Sequence, residues 1–343
     1  MKFNRILVIQ TAFLGDVILA TPVLKALKIT FPEAQVDVIT IPETSIIFEN
    51  NPNVSGQLIF NKKQSIKKII SFFRTVALLR NNRYDAAISI QSSITSTMLM
   101  VFGGIPVRVG FERQKFLTRK VTEKSGIHTR VRYLRLLEPF SQNIFNSQTE
   151  IFWSDQEEQK AQNLVESYKK NDYFLIGIAP GSVWYTKRWS KEYFVELLKL
   201  LTDKQVKIFM IGGKNETLLC SEIIEQSNNS ATIVAGSFSA IESAALVSKL
   251  DLMITNDSAP LHIANAVKTD VIAFFGPTMP NHGFYPYREN DKIMEIDLYC
   301  RPCSKHGGKK CPEKHFRCMR DITPQMVYDE IIKHKNEILR EKR

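Results

Sequence analysis

The feature that most constrains this chain is an alternation that starts twice. Short β-rich runs at 5–10, 36–40, 57–60, 86–90 and 107–110 are separated by longer segments of helical period. The alternation begins again at Tyr173 and runs through 173–179, 207–211, 232–235, 252–255, 271–275 and 293–296. Strands alternating with helices imply parallel sheets covered by helices on both faces, because each parallel connection has to cross over. A chain of 343 residues is long for one domain and suited to two, and at 44% apolar content each half can bury a core. The expected fold class is therefore α/β, with two Rossmann-like lobes. The first is placed at 1–165 and the second at 172–322, joined through the charged stretch 153–172, which carries a helix of its own. A last helix at about 324–339 has Thr323 as N-cap and Pro324 as its first residue.

The formal net charge of +11 favours polyanionic partners: nucleic acid, an anionic membrane face or a phosphorylated substrate. No recognised module interleaves basic and aromatic residues, so nucleic acid is not expected as a partner. The apolar run near the N-terminus is short, Gly15-Asp16 interrupts it, and no small-residue cleavage site follows. It reads as a first strand, which speaks against a secreted solute-binding protein. No run of about 18 apolar residues is present. A cytoplasmic protein is expected, touching a membrane only at its surface.

Three segments sit where strands give way to helices, the place where open α/β sheets bind ligands. The first is Thr11-Ala12-Phe13-Leu14-Gly15-Asp16-Val17. Asp16 can cap the following helix, or its carboxylate can take a proton from a hydroxyl, and spacing alone does not choose. The second is Pro180-Gly181-Ser182, followed by Thr186-Lys187-Arg188-Trp189. Gly181 permits a tight turn, Thr186 and Lys187 can donate to phosphate, and Arg188 adds a planar fork. The third is Thr255-Asn256-Asp257-Ser258 with Pro260-Leu261-His262 at a helix start, where backbone N–H groups favour anions. Gly212-Gly213-Lys214-Asn215-Glu216 and Phe275-Gly276-Pro277-Thr278 are weaker signals at two further strand ends.

Taken in order, these motifs resemble the ADP-heptose:lipopolysaccharide heptosyltransferases of glycosyltransferase family nine, most closely the type that adds the second heptose. Leu14-Gly15-Asp16-Val17-Ile18-Leu19 with Thr21-Pro22 is similar to the family's N-terminal motif, and the second and third segments to its central and C-terminal ones. The resemblance implies a GT-B fold with a cleft between the lobes, and a final helix at 323–343 that crosses back to the first lobe. It implies inverting transfer that requires no cofactor or metal, from ADP-heptose to an anionic lipopolysaccharide-precursor acceptor. Asp16 would be the catalytic base, and Lys187 would stabilise the departing ADP. Gly181, Ser182, Thr186, Lys187, Arg188, Glu216, Asp257, Ser258 and His262 would hold the donor. Gly15, Arg113 and Lys115 would meet the acceptor. The alternative is a GT-B enzyme using another nucleotide sugar or another glycan acceptor.

Two features fall outside the motifs. Cys300, Cys303, Cys311 and Cys318, with His306 and His315 nearby, can either hold a structural zinc ion or order a loop as reduced thiols. Lys62, Lys63, Lys67 and Lys68 flank a segment whose Ile66, Ile69, Ile70 and Phe73 share one helical face. That apolar face reads as the side covering the sheet. The charge is expected to draw the protein to the anionic inner face of the cytoplasmic membrane.

Overall fold

The computed structural model describes residues 2–61, 65–143, 145–202 and 204–341. Lys62 and Lys63 lie outside the described residues, and of Ile66, Lys67 and Lys68 only the backbone is described. The chain divides into two compact units, Met1–Phe152 and Trp153–Arg343.

In the first unit the strands are β1 (Arg5–Ile9), β2 (Gln35–Thr40), β3 (Gly56–Ile59), β4 (Ala86–Ser89), β5 (Val107–Phe111) and β6 (Arg119–Val121). They form one parallel sheet in the order β3-β2-β1-β4-β5-β6. The helices are α1 (Leu14–Thr30), α2 (Ser65–Asn82), α3 (Ile94–Phe102) and α4 (Thr129–Leu134). Strand order reverses between β1 and β4, which opens a crevice at their carboxyl ends. The polar, three-residue β6 was not legible as a strand, because an edge strand so short carries no apolar run.

The second unit repeats the plan. It comprises α5 (Asp155–Lys170), β7 (Phe174–Ala179), α6 (Lys191–Leu200), β8 (Val206–Met210), α7 (Thr217–Ser227), β9 (Thr232–Ile233), α8 (Ala240–Val247), β10 (Leu252–Asn256), α9 (Ala259–Ala266), β11 (Asp270–Phe275), β12 (Lys292–Glu295), α10 (Arg317–Arg320) and α11 (Pro324–Glu341). Its sheet is also parallel, in the order β12-β11-β10-β7-β8-β9. Counted from its own first strand this is the same arrangement, with the reversal between β7 and β10. All six residues of β7 are buried, as a central strand covered on both faces requires. Ile176, Ile208, Ile254 and Phe274 from the sheet pack with Trp189, Phe194 and Leu197 from the α6 region, and with Val327 and Ile331 of α11.

Three elements differ from the sequence reading. The unit boundary falls after Phe152 rather than at 165–172, because α5 buries Ala161 and Val165 and packs on α8. The terminal helix, expected at 323–343 to cross back to the first lobe, contributes to the second unit's core through its contact with α6. Most consequentially, α2 turns Thr75, Val76 and Leu79 inward, while Ile69, Ile70 and Phe73 face solvent.

One motif proves structural. Pro22 lies inside α1, and its missing N–H would have bonded the Ile18 carbonyl. The Thr21 hydroxyl donates to that carbonyl instead, at 2.8 Å, and accepts from the Glu150 N–H at 3.0 Å.

Candidate active site

In the first unit the turn from β1 into α1 is pinned by Gln10. Its Nε2 donates to the Asp16 carbonyl at 3.1 Å, and its Oε1 accepts from the Ala12 N–H at 3.3 Å. The N-cap of α1 is Phe13, which has no side-chain cap, so Asp16 is a first-turn residue and not the cap. A carboxylate there is favoured by the helix dipole. Asp16 is half-buried, and its Oδ1 accepts from the Tyr133 hydroxyl at 3.1 Å. Burial, and then the charge of Asp16, raise the Tyr133 pKa well above its ordinary value, so the phenol stays a neutral donor. Gly15 is buried beneath this turn. Arg113 and Arg132 both reach Glu123 at 3.7 Å, and Lys115 is exposed in the turn between β5 and β6.

In the second unit the site is built on buried Asn256. Its Nδ2 donates to the carbonyls of Pro180 and Gly181, at 2.9 and 3.1 Å, and its Oδ1 accepts from the Trp189 N–H at 2.9 Å. One side chain thereby ties the end of β10 to the loop after β7, across the point where strand order reverses. Lys187, on a 3-10 turn at Tyr185–Lys187, places Nζ 2.6 Å from Asp257 Oδ2. The same oxygen accepts from the Thr278 hydroxyl at 2.7 Å. Burial pushes the His262 pKa down to about 4, with Asp257 opposing and Lys187 reinforcing, so the imidazole is neutral near pH ~7. His282 is shifted down as well, first by burial, and its buried Nδ1 has no hydrogen-bond partner.

Glu216 closes the other side. Its Oε2 accepts from the Gly213 N–H at 2.7 Å. A Cβ on Gly181 would lie 1.5 Å from Glu216 Oε1, and one on Gly212 would lie 2.7 Å from Oε2. Gly181 is therefore glycine because the Glu216 carboxylate rests on it. Ser182 and Ser258 hold backbone in place: the Ser182 carbonyl accepts from Arg188 Nε at 2.8 Å, and the Ser258 hydroxyl lies 3.3 Å from the Asn256 carbonyl. Arg188, tied to Ser182, lines a cavity of about 480 Å³ with Tyr185, Tyr193 and Arg320. Thr186 is buried and pairs twice with Gly308, N–H to carbonyl at 3.1 Å and Oγ1 accepting at 2.8 Å.

That pairing gives the cysteine loop a role. A Cβ at Gly307 would lie 2.9 Å from Trp184 and 3.1 Å from the Lys187 stem, so the loop packs on the turn that presents Lys187. Cys303, Cys311 and Cys318 border a small cavity beside Thr186 and Gly308. Cys300 Sγ stands 3.8 Å from His315 Nε2, and Cys303 Sγ donates to the Cys300 carbonyl. Burial pushes the Cys318 thiol up to about 11. Among the described residues no three His, Cys, Asp or Glu side chains are gathered to hold a metal ion.

Sequence reasoning missed Tyr133, Asn256 as organiser, Thr278 and Arg301. The Arg301 guanidinium is buried and donates to the carbonyls of Phe275, Gly276 and Thr278, fixing the loop that aims Thr278 at Asp257. Thr278 and Asn256 stood inside motifs already singled out, whereas Tyr133 and Arg301 carry no local signal.

Comparison with known proteins identifies the family. The family model for glycosyltransferase family 9 (heptosyltransferase) matches residues 72–316. Lipooligosaccharide heptosyltransferase 2 of Campylobacter jejuni is 27% identical over 337 residues, covering 96% of this chain and 98% of the relative. The crystal structure of a family 9 glycosyltransferase from Veillonella parvula superposes with a TM-score of 0.87 at 22% identity, over 98% of both chains. E. coli ADP-heptose lps heptosyltransferase II gives a TM-score of 0.78 at 22% identity, over 100% of both. With two parallel, doubly wound sheets the fold class is α/β of the GT-B type. The chain belongs to glycosyltransferase family 9, the heptosyltransferases.

Proposed function

We propose that this enzyme transfers heptose with inversion from ADP-heptose to the inner core of a lipopolysaccharide precursor, at the anionic inner face of the cytoplasmic membrane. The observation that carries the reading is the Lys187–Asp257–Thr278 cluster at the second sheet's reversal point, with neutral His262 beside it. An ammonium held in place by a buried carboxylate is aimed before any ligand arrives, which is what stabilising a departing diphosphate asks for. In this reading Asp16 takes the proton from the acceptor hydroxyl. The oxygen bonds the anomeric carbon as the bond to the β-phosphate breaks, and ADP leaves with its new charge beside Lys187. Inversion needs one displacement, one base and a stabilised leaving group, so no enzymic nucleophile or metal is invoked. Glu216, with Oε1 directed over Gly181, accepts from the adenosine ribose. Tyr133 orients the base by donating to it.

The test incubates the protein with ADP-heptose and defined truncated core acceptors. Replacing Asp16 with alanine is expected to lower kcat by about 100-fold or more, the ordinary contribution of a general base. Undiminished transfer by Asp16→Ala would sink the base assignment. Faster turnover of UDP- or GDP-linked sugars would overturn the donor.

A further inference from the structure

We propose that the outward face of α2, continued by Ile94 at the start of α3, docks the enzyme on an anionic lipid bilayer. Ile69, Ile70 and Phe73 are exposed by 59%, 46% and 65%, and Ile94 by 80%. At about 100° per residue, Ile69, Phe73, Ala77 and Ile70 fall within one arc of roughly 100° on α2. The inward arc is filled separately by Thr75, Val76 and Leu79, so the outer stripe is surplus to the core. Phe102 of α3, itself half-exposed, meets Phe72 edge-on at 6.0 Å and extends the apolar ground onto the second helix. Scattered apolar residues on a surface mean little, but a contiguous patch marks a contact.

Charge identifies the occupant. From Ser65 to Asn82 the helix carries Lys67, Lys68, Arg74 and Arg80 and no Asp or Glu. An exposed apolar stripe on a helix whose charged residues are all cations is the pattern of a helix lying in an anionic lipid interface, apolar side down. A protein partner with an apolar site would not require a helix without a single carboxylate.

Position adds a second argument. All strands of the first sheet are parallel, so α1, α2 and α3 begin along one edge, at the carboxyl ends of β1, β3 and β4. That edge carries Asp16. Docking through the first half of α2 and the start of α3 therefore turns the catalytic edge towards the membrane, where a lipid-linked acceptor presents its sugar. This last step rests on the proposed function; the docking itself does not.

The full chain is sedimented with vesicles of phosphatidylcholine alone and with added phosphatidylglycerol. Binding is expected to the anionic vesicles, weakening as salt rises. Ile69→Ser/Phe73→Ser, at exposed positions, is expected to melt as the parent does, and to reduce that binding by about tenfold or more. Transfer to a delipidated, soluble acceptor should be unchanged in the variant. Equal binding to neutral vesicles, unaltered binding by the variant, or a parent dimer that the variant turns into monomer would each overturn the proposal; the last would assign the face to a second copy. Vesicle binding without heptose transfer would count against the proposed function and leave the docking surface standing.

Discussion

His262 lies one turn into α9, 5% exposed, and holds no charge because burial outweighs the attraction of Asp257. A neutral ring beside Lys187 can offer a donor and an acceptor without repelling the ammonium. The same burial makes the site sensitive to acid. Unfolded, His262 takes a proton near pH 6.5; folded, it does so only near pH 4. Between those values the unfolded state binds more protons, so this contribution is complete above about pH 6.5 and is lost as pH falls towards 4. Replacing His262 with glutamine is expected to make the protein lose less stability between about pH 7 and about pH 5, by roughly 2 kcal/mol. Urea denaturation at the two pH values measures it, and equal losses in parent and variant would exclude His262 as the cause. Asp257 follows directly on β10, and Lys187 and His262 stand in the segments that open at the ends of β7 and β10, which is why all three were legible in the sequence. Tyr133 was not: it reaches Asp16 from 117 positions away along the chain. Arg301, likewise, meets its carbonyl partners only after β11 and the cysteine loop have folded together.

At the level of elements, apolar pattern predicted existence better than orientation. The stripe on α2 reads as a core face by period alone, yet the core is served by Thr75, Val76 and Leu79, and the stripe points outward. Period says that a face exists; only packing decides which of two faces the sheet takes. For α5 the pattern located the helix but not its owner, because Ala161 and Val165 are small contacts that match either lobe until α8 is in place. The Thr21-Pro22 pair in α1 shows the reverse case, a motif noticed for its resemblance and explained by backbone chemistry. Thr21 is buried and its hydroxyl serves two backbone groups, the Ile18 carbonyl and the Glu150 N–H. Thr21→Val keeps the shape and strands both partners, so it is expected to cost about 1–3 kcal/mol of stability, while Thr21→Ser recovers most of it. Chemical denaturation of the two variants decides this. A valine variant as stable as the parent would show that Pro22 needs no compensation.

Over the whole molecule the chain builds one arrangement twice, and the proposed function divides its chemistry between the copies. The doubling was legible because the alternation restarts at Tyr173. The strand order was not, since six parallel strands can be threaded several ways; the observed order puts the ends of β1, β7 and β10 at reversal points. Asp16 belongs to the first unit, while Lys187, Glu216, Asp257 and His262 belong to the second. Donor binding and proton abstraction should therefore come apart under mutation. ADP at a hundred times its Kd stabilises a folded protein by about 2.7 kcal/mol. The same ADP-dependent rise is expected in the parent and in Asp16→Ala, although the variant transfers heptose about 100-fold more slowly or worse. Lys187→Ala should lose the rise, but it also strands the buried Asp257 carboxylate and costs stability of its own. Glu216→Gln supplies the cleaner comparison, because that side chain is half-buried and is not part of the Lys187 ion pair. It should fold as the parent does and bind ADP several-fold more weakly, by roughly 1–2 kcal/mol, through the lost charge on its ribose-facing oxygen. Calorimetric titration of ADP against all four proteins gives the answer. An Asp16 variant that has lost ADP affinity would show that the base also holds the donor, and the division of labour between the two units would fall.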